Sequence, residues 1–278
     1  MCDLSREQMI NVVFWNLNKK PLKDLLTALV KSCAVDLLIL AENGMSPSTV
    51  LAALNAESPN YKTRSWSLCT KITVFTKFHS SFLQPTFESD RILICRLKLP
   101  ARVDILLAMA HLPSKINFDD FSQLVECQRL SDSVREAEKK AGHNRTILVG
   151  DFNANPFEPA IAGTTGLHAV MAKQVAMRQS RQVQDKEYRF FYNPMWRHFG
   201  EHQNGPPGSY YYGAGGHITY FWNIFDQVLV RPELIKNFPD QELRILTSID
   251  GVNLLADSGQ PNTRIASDHL PMFFKLDL

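Results

Sequence analysis

The sequence predicts an α/β fold in which two β-sheets stack on each other and helices cover their outer faces. Three observations lead there. Nearly continuous apolar runs of strand length recur along the whole chain, at residues 12–15, 35–41, 146–150, 224–230 and 272–276. Between residues 61 and 112, short β-type runs follow one another, separated by turn-like clusters of Ser, Pro, Asp and Lys. Amphipathic helical patterns are interspersed among them, around 22–29 and 118–137.

Taken in order, the first apolar run closes on Asn16-Leu17-Asn18. It is followed by Leu22, Leu25, Leu26 and Leu29, which recur at helical spacing. The run at 35–41 has the length and composition of a strand buried on both faces, and it ends at Glu42. Ser46-Pro47 supplies an N-cap and a proline at the first helical position, opening a short helix toward Leu54. The meander that follows includes runs at 72–76, 92–97 and 103–111, the last ending at His111.

Phe118, Phe121, Leu124, Val125, Leu130, Val134 and Ala137 mark a long amphipathic helix with Gly142 as its stop, and the strand at 146–150 leads directly into Asp151. Residues 163–222 show weak periodicity and glycine-rich spots (205–208, 213, 215–216), so an irregular elaboration is expected there. Strands at 224–230 and 272–276 complete a single domain spanning 1–278, with no internal repeat.

Composition bounds the protein more than it describes it. Hydrophobic residues at 45% and charged residues at 21% belong to an ordinary globular chain, which excludes fibrous and disordered classes. A net charge of +2 is too mild to argue for a polyanionic partner by itself. The opening residues 1–8 contain Asp3, Arg6 and Glu7 and no apolar run of secretory length, and no stretch reaches a membrane span, so a cytoplasmic protein without a membrane role is expected. Five cysteines, at 2, 33, 69, 95 and 127, lack any zinc-binding spacing and read as reduced thiols.

The chemistry sits at strand ends. Gly150-Asp151-Phe152-Asn153 follows one apolar strand, and Ser267-Asp268-His269 precedes the last one. Strand termini are rigid, so carboxylates, amides and imidazoles displayed there can be held to the tolerance that metal-assisted chemistry needs. Glu42 and Asp268 are hard oxygen donors of the kind magnesium or manganese takes, and Asn16 and Asn153 add neutral amides. Asp226, in Phe225-Asp226-Gln227, is suited to fix the tautomer of His269, while His111 is placed to donate a hydrogen bond or a proton. The remaining histidines, at 79, 143, 168, 198, 202 and 217, read as solvated loop residues.

In this order, Trp15-Asn16, Ala41-Glu42-Asn43, Ala110-His111-Leu112-Pro113, Gly150-Asp151-Phe152-Asn153, Phe225-Asp226-Gln227 and Ser267-Asp268-His269 resemble the motifs of the endonuclease/exonuclease/phosphatase superfamily, across residues 12–276. The resemblance implies a four-layered α/β sandwich of the DNase I type and a Mg²⁺- or Mn²⁺-dependent phosphoric ester hydrolase. It implies that Glu42 is the principal metal ligand, supported by Asn16 and Asp268. Asp151 and Asn153 would position the nucleophile, and Asp226 and His269 would form a dyad. A histidine at 111 looks more like the DNase I, deadenylase and sphingomyelinase branches than the abasic-site endonucleases.

For the substrate, residues 172–197 interleave Arg178, Arg181 and Arg189 with aromatic residues, a combination suited to the phosphates and bases of DNA or RNA. Tyr212 and Trp222, just before the Asp226 strand, are candidates to floor the pocket. A nucleic-acid substrate, a small-molecule or lipid-headgroup phosphate, and a catalytically silent binding module remain open at this point.

Overall fold

The structure is a computed structural model that describes residues 9–56, 60–115, 119–200, 205–213 and 217–278. The opening residues 1–8 with Cys2, and also Phe118, His202 and residues 215–216, lie outside the described residues. In chain order, β1 (Ile10–Asn16), α1 (Lys23–Ser32), β2 (Leu37–Ala41), α2 (Pro47–Leu54), β3 (Lys62–Thr63) and β4 (Ile72–Thr76) open the fold. Then come β5 (Leu83–Glu88), β6 (Ile92–Leu97), β7 (Ile105–His111), α3 (Asp120–Ala141), β8 (Thr146–Asp151) and α4 (Pro159–Ala162). The third stretch holds β9 (Ala169–Val170), α5 (Lys173–Ala176), β10 (Ser180–Val183), β11 (Lys186–Arg189), β12 (Phe191–Tyr192), β13 (Tyr210–Tyr212) and β14 (Phe221–Asn223). It closes with β15 (Asp226–Val230), β16 (Arg244–Ile245), β17 (Ser248–Ile249), β18 (Val252–Asn253) and β19 (Met272–Leu276).

Two mixed sheets organise these elements, one in the order β16-β19-β1-β2-β4-β3 and the other β5-β6-β7-β8-β15-β12-β9. Because successive side chains of a strand point to opposite faces, each strand feeds two packing layers. Val12 and Phe14 of β1, Leu37 and Ile39 of β2, Leu107 and Met109 of β7, Ile147 and Val149 of β8, and Val228 and Val230 of β15 meet in one core between the sheets. Val13, Trp15, Leu38 and Leu40 face outward onto Leu26 and Leu29 of α1 and Val50 of α2. Leu106, Ala108, Leu148 and Leu229 face outward onto Leu130, Val134 and Ala137 of α3 and Ile161 of α4. The result is helix, sheet, sheet, helix, the four layers expected.

Local signals behave as their chemistry dictates. Ser46 caps α2 by accepting from the Thr49 amide, with Pro47 at the first helical position. Gly142 ends α3 in the left-handed conformation at φ 74°. Two expectations are corrected. The face of α3 toward the sheet is Gln123, Cys127, Leu130, Val134 and Ala137, and Phe121 is 72% exposed, because at about 100° per residue it falls on the opposite face of the helix from Gln123 and Leu130. Residues 163–222 are not an irregular elaboration alone: β9 and β12 extend the seven-stranded sheet and β10–β11 forms a hairpin. Strands of two to four residues are too short to leave a periodic signature. The described cysteines, 33, 69, 95 and 127, are free thiols. Among the described residues, no helix is long and apolar enough to cross a membrane.

Candidate active site

The inner core face of each sheet ends in polar residues at one rim. Along β1 the inward series Val12, Phe14 is continued by Asn16; along β7, Leu107 and Met109 are continued by His111; along β8, Ile147 and Val149 by Asp151; along β15, read backward from Val230 and Val228, by Asp226. β7 and β8 run parallel with His111 beside Asp151, and β15 runs antiparallel with Asp226 opposite Asp151, so three chemistry-bearing strand ends are neighbours. β1 and β2 are likewise parallel, pairing Asn16 with Ala41, and β19 returns antiparallel to β1 just after His269. Glycine is required beside these strand ends at Gly150 and Gly44. A Cβ on Gly150 would collide with the Ala110 carbonyl, and one on Gly44 would collide with the backbone of Lys19, so these glycines let β7 lie against β8 and the 18–20 loop lie against Glu42.

Glu42 departs from the alternation. By strict period two it would follow Leu40 outward, but its backbone adopts φ 45°, a left-handed conformation costly to a residue with a Cβ, and its carboxylate is turned to the rim. There Glu42 Oε1 stands 3.3 Å from His111 Nε2, and the hydrogen bond from His111 lowers the carboxyl's pKa against the opposing effect of burial. The same imidazole nitrogen lies 3.8 Å from Asp151 Oδ2. Asn16 donates its amide to that oxygen at 2.9 Å, and the Asn153 backbone amide donates to Asp151 Oδ1 at 2.9 Å. Asp151 is fully enclosed, and desolvation raises its pKa despite these donors and the neighbouring imidazoles.

Opposite stands the pair His269 and Asp226. His269 Nδ1 donates to Asp226 Oδ2 at 2.8 Å, which fixes the ring and turns Nε2 toward Asp151 Oδ2, 3.9 Å away. Burial opposes a charge on His269, but the carboxylates of Asp226, Asp151 and Asp268 outweigh it and carry the imidazole up to about 10. The Trp15 indole donates to the His269 carbonyl at 2.8 Å, and Tyr210 packs its ring 4.5 Å from the imidazole. Asp268 is half-buried beside this pair and accepts from Ser267. His111 Nδ1 is buried without a hydrogen-bond partner, so both of its acidic neighbours lie on the Nε2 side.

The donor set fits a divalent cation. Glu42, Asp151 and the Asn16 amide bring hard oxygens and an orienting donor to one small volume, and the enclosed carboxylate of Asp151 lacks a full counter-charge. Asp151, Asp226 and His269 also place one ligand atom each within 4.8 Å of one another. The hydrogen bond between His269 and Asp226 uses Nδ1 and Oδ2, and leaves Asp226 Oδ1 buried without a partner.

The expected substrate contacts divide. Tyr212 is half-exposed and lines a cavity of about 600 Å³ beside Asn153 and Tyr210, walled also by Phe157, Tyr220 and Phe225. Trp222 instead packs against the outer core of the six-stranded sheet. Arg178, Arg181 and Arg189 are not brought to the rim. β12 pairs Tyr192 with Val230, at the far end of β15 from Asp226, and Arg189 bonds Glu233 beyond that end. Their composition suited a polyanion, but composition carries no information on which end of a sheet a segment reaches.

A support network that the sequence does not single out lies behind the rim: Asn155 donates to Asn223 Oδ1 at 2.9 Å and accepts from the Ile224 amide, and Gln227 is clamped between Asn193 and the carbonyls of Ala154 and Ile224. These amides hold the loop after Asp151 against the entry to β15. Their signal was adjacency to Asn153 and Asp226, which is too common among turn residues to single out.

Fold and rim together define a phosphoesterase architecture. The model of the Endonuclease/Exonuclease/phosphatase family matches residues 13–269, and the chain belongs to that family. Among solved structures it is similar to D. rerio TDP2 complexed with single strand DNA product (15% identity, 98% of this chain and 100% of that one, TM-score 0.56). It is similar to the 3′ phosphatase NExo from Neisseria bound to product DNA hairpin (12%, 97% and 100%, TM-score 0.56). It is similar also to ANGEL2, a 2′,3′-cyclic phosphatase (15%, 97% and 96%, TM-score 0.58). Curated proteins give no significant match.

Proposed function

We propose that this protein hydrolyses phosphodiester bonds of DNA or RNA with the help of Mg²⁺ or Mn²⁺. The observation that carries the proposal is the convergence of Asn16, Glu42, His111, Asp151, Asp226 and His269 at one rim, where two carboxylates face one imidazole and a buried Asp-His pair faces them. The cation, held by Glu42 and Asp151 with Asn16 and Asp268 in support, would neutralise phosphate charge and offset the carboxylate field on His269.

Each side chain then has a defined task. Asp226 fixes His269 with its Nε2 toward Asp151, so that a water between them is oriented for attack and can pass its proton to the pair. Asn153 holds φ 50° and anchors its amide on the Leu112 carbonyl, which keeps the carboxylate of Asp151 under its own backbone N–H. His111 offers Nε2–H to a phosphate oxygen or to the leaving group. The similar structures that hold DNA products support the nucleic-acid substrate class.

A second substrate class, a small phosphate ester, is favoured by the cavity beside Asn153, whose aromatic walls enclose a volume suited to a single small group. The phosphatases among the relatives agree with it. The deciding experiment is hydrolysis of labelled single-stranded DNA, duplex DNA and RNA with Mg²⁺ or Mn²⁺, beside a chromogenic phosphodiester, with EDTA and Glu42→Ala as controls. Cleavage of a polymer that EDTA and Glu42→Ala abolish supports the nuclease; activity on the small ester alone supports the second class. Turnover that survives both controls refutes the metal-dependent site.

A further inference from the structure

A second cleft, of about 320 Å³, lies away from the catalytic rim, between β9, α5 and β10. Val170, Val175 and Phe190 give it an apolar floor, and Arg178 and Arg181 stand at its mouth with no acidic residue among the lining. The pairing of Tyr192 with Val230 places this region four residues along β15 from Asp226, and a strand advances about 3.3 Å per residue, so the cleft is more than about 13 Å from the dyad.

His168 builds this cleft. It is buried to 3% exposure and was expected to be a solvated loop residue. Its Nδ1 faces the Arg189 carbonyl at 3.1 Å, and a carbonyl only accepts, so Nδ1 carries the proton. Nε2 is therefore a lone pair, and it accepts from Arg181 Nε at 3.0 Å. The ring stacks on Phe190 at 4.4 Å, and burial lowers its pKa, consistent with a neutral imidazole. The backbone holds φ 51° to put it there, a conformation costly to a residue with a Cβ.

This arrangement fixes a guanidinium by its Nε and leaves both terminal nitrogens of Arg181 free to grip an anion end-on. Arg178 has no ion pair or side-chain hydrogen bond among the described residues, Arg181 has no ion pair among them, and Glu233 is engaged by Arg189. Two unpaired guanidinium groups match a dianion better than a monoanion, and the apolar floor asks for a hydrophobic or planar body attached to it.

We infer that this cleft is a second ligand site that takes a phosphate monoester joined to an apolar or planar group, either a free mononucleotide or the terminal phosphate of an oligonucleotide. The site is independent of the catalytic proposal, since no residue is shared.

The test is calorimetric titration of the full chain in EDTA with phenyl phosphate, adenosine monophosphate, benzoate, and a dinucleotide with and without a 5′-phosphate. Phenyl phosphate should bind, benzoate should bind at least about tenfold more weakly, and Arg178→Gln/Arg181→Gln should weaken phenyl phosphate at least about tenfold with an unchanged melting temperature, as for loss of bidentate charge-assisted bonds. Glu42→Gln should bind as the wild type, which separates this cleft from the catalytic rim. Mononucleotide binding identifies a free ligand, and dinucleotide binding that requires the 5′-phosphate identifies a strand end. Equal binding of benzoate and phenyl phosphate, undiminished binding in the double variant, dinucleotide binding indifferent to the 5′-phosphate, or no binding of any phosphate monoester at millimolar concentration would each overturn the inference.

Discussion

Asp226→Asn removes one charge from the rim while conserving volume. Asp226 is 1% exposed, and its Oδ2 accepts from His269 Nδ1 at 2.8 Å, so no water can replace the lost interaction. If the amide nitrogen faces the ring, Nδ1 must become the acceptor and the proton moves to Nε2, the wrong tautomer for taking a proton from water. If the amide oxygen faces the ring, the hydrogen bond survives but the charge that supports an imidazolium is gone. The corresponding exchange in Ser-His-Asp enzymes lowers the rate by about 10⁴. A loss of about 10³ to 10⁴ is expected here, equivalent to about 4 to 5.5 kcal/mol of activation free energy. The ring itself should stay in place, because the Trp15 indole still holds the His269 backbone and Tyr210 still packs on the imidazole. The assay is turnover of a chromogenic phosphodiester with Mn²⁺, alongside a melting curve. The double variant Asp226→Asn/His269→Gln should be no slower than His269→Gln by more than about threefold, since members of one catalytic unit are strongly non-additive. A loss under about tenfold, or rate losses that multiply in the double variant, would refute the dyad.

Gly150→Ala should destabilise the fold by about 2 kcal/mol or more, because the new Cβ meets the backbone carbonyl of Ala110 in the neighbouring strand, whereas Gly205→Ala, facing open space, should leave the melting temperature within a few degrees. Arg231→Ala should cost about 3 to 5 kcal/mol in urea unfolding, since Arg231 grips Glu138 at 2.8 and 3.2 Å in the interior and its loss strands a buried carboxylate. Replacing both partners by Met should recover most of that stability. Asp104 is opposed by desolvation, but hydrogen bonds from Arg96 and Arg145 outweigh it and hold the carboxyl at about 2, below its ordinary 3.8. A carboxyl depressed in the folded state stabilises above its unfolded value, and that stability disappears as pH falls through the folded one. The urea midpoint should therefore drop between pH 4 and pH 2, and Asp104→Asn should flatten that part of the profile; an identical acid limb in the variant would dismiss Asp104 as its source.

What the sequence disclosed follows from period two. Strands such as β1, β7 and β8 alternate between two cores, and the last inward position of each is polar: Asn16, His111 and Asp151. A polar residue where the pattern demands an apolar one is visible without a structure, and so these site residues were legible. Glu42 was legible as the end of a strand, but its orientation was not, because a positive φ at a residue other than glycine leaves no compositional trace. The register of α3 was hidden for a related reason. Phe121 is apolar, yet it falls on the face of α3 opposite the buried stripe of Gln123, Cys127, Leu130 and Val134, and that stripe opens with a polar residue, so the apolar residues alone misplace it. The basic segment failed differently: Arg178, Arg181 and Arg189 have the right chemistry for phosphate, but the pairing of β12 with β15 sends them to the opposite end of the sheet. His168 was hidden by its place in a turn, since burial there depends on Phe190 and Arg181 arriving from later in the chain.

The geometry explains why both sheets are needed for one site. Asn16, Glu42 and His269 belong to or flank strands of one sheet, while His111, Asp151 and Asp226 belong to the other. Each decisive contact crosses between them: Asn16 to Asp151, Glu42 to His111, and His269 to Asp226. Neither sheet alone holds both partners of any of these three contacts. The apolar core between the sheets therefore does more than stabilise the fold, because its thickness sets the distance across which these pairs meet. Sheets pack about 10 Å apart, and side chains reaching inward from both sides just close that gap. A change that thickens or thins the core near the rim, at Phe14, Met109 or Val149, should disturb all three contacts together without touching any of them, so turnover should fall further than stability does. Met109→Ala provides the comparison. If its rate loss, converted to free energy, does not exceed the loss expected from the unfolded fraction alone, the core is not what spaces the site.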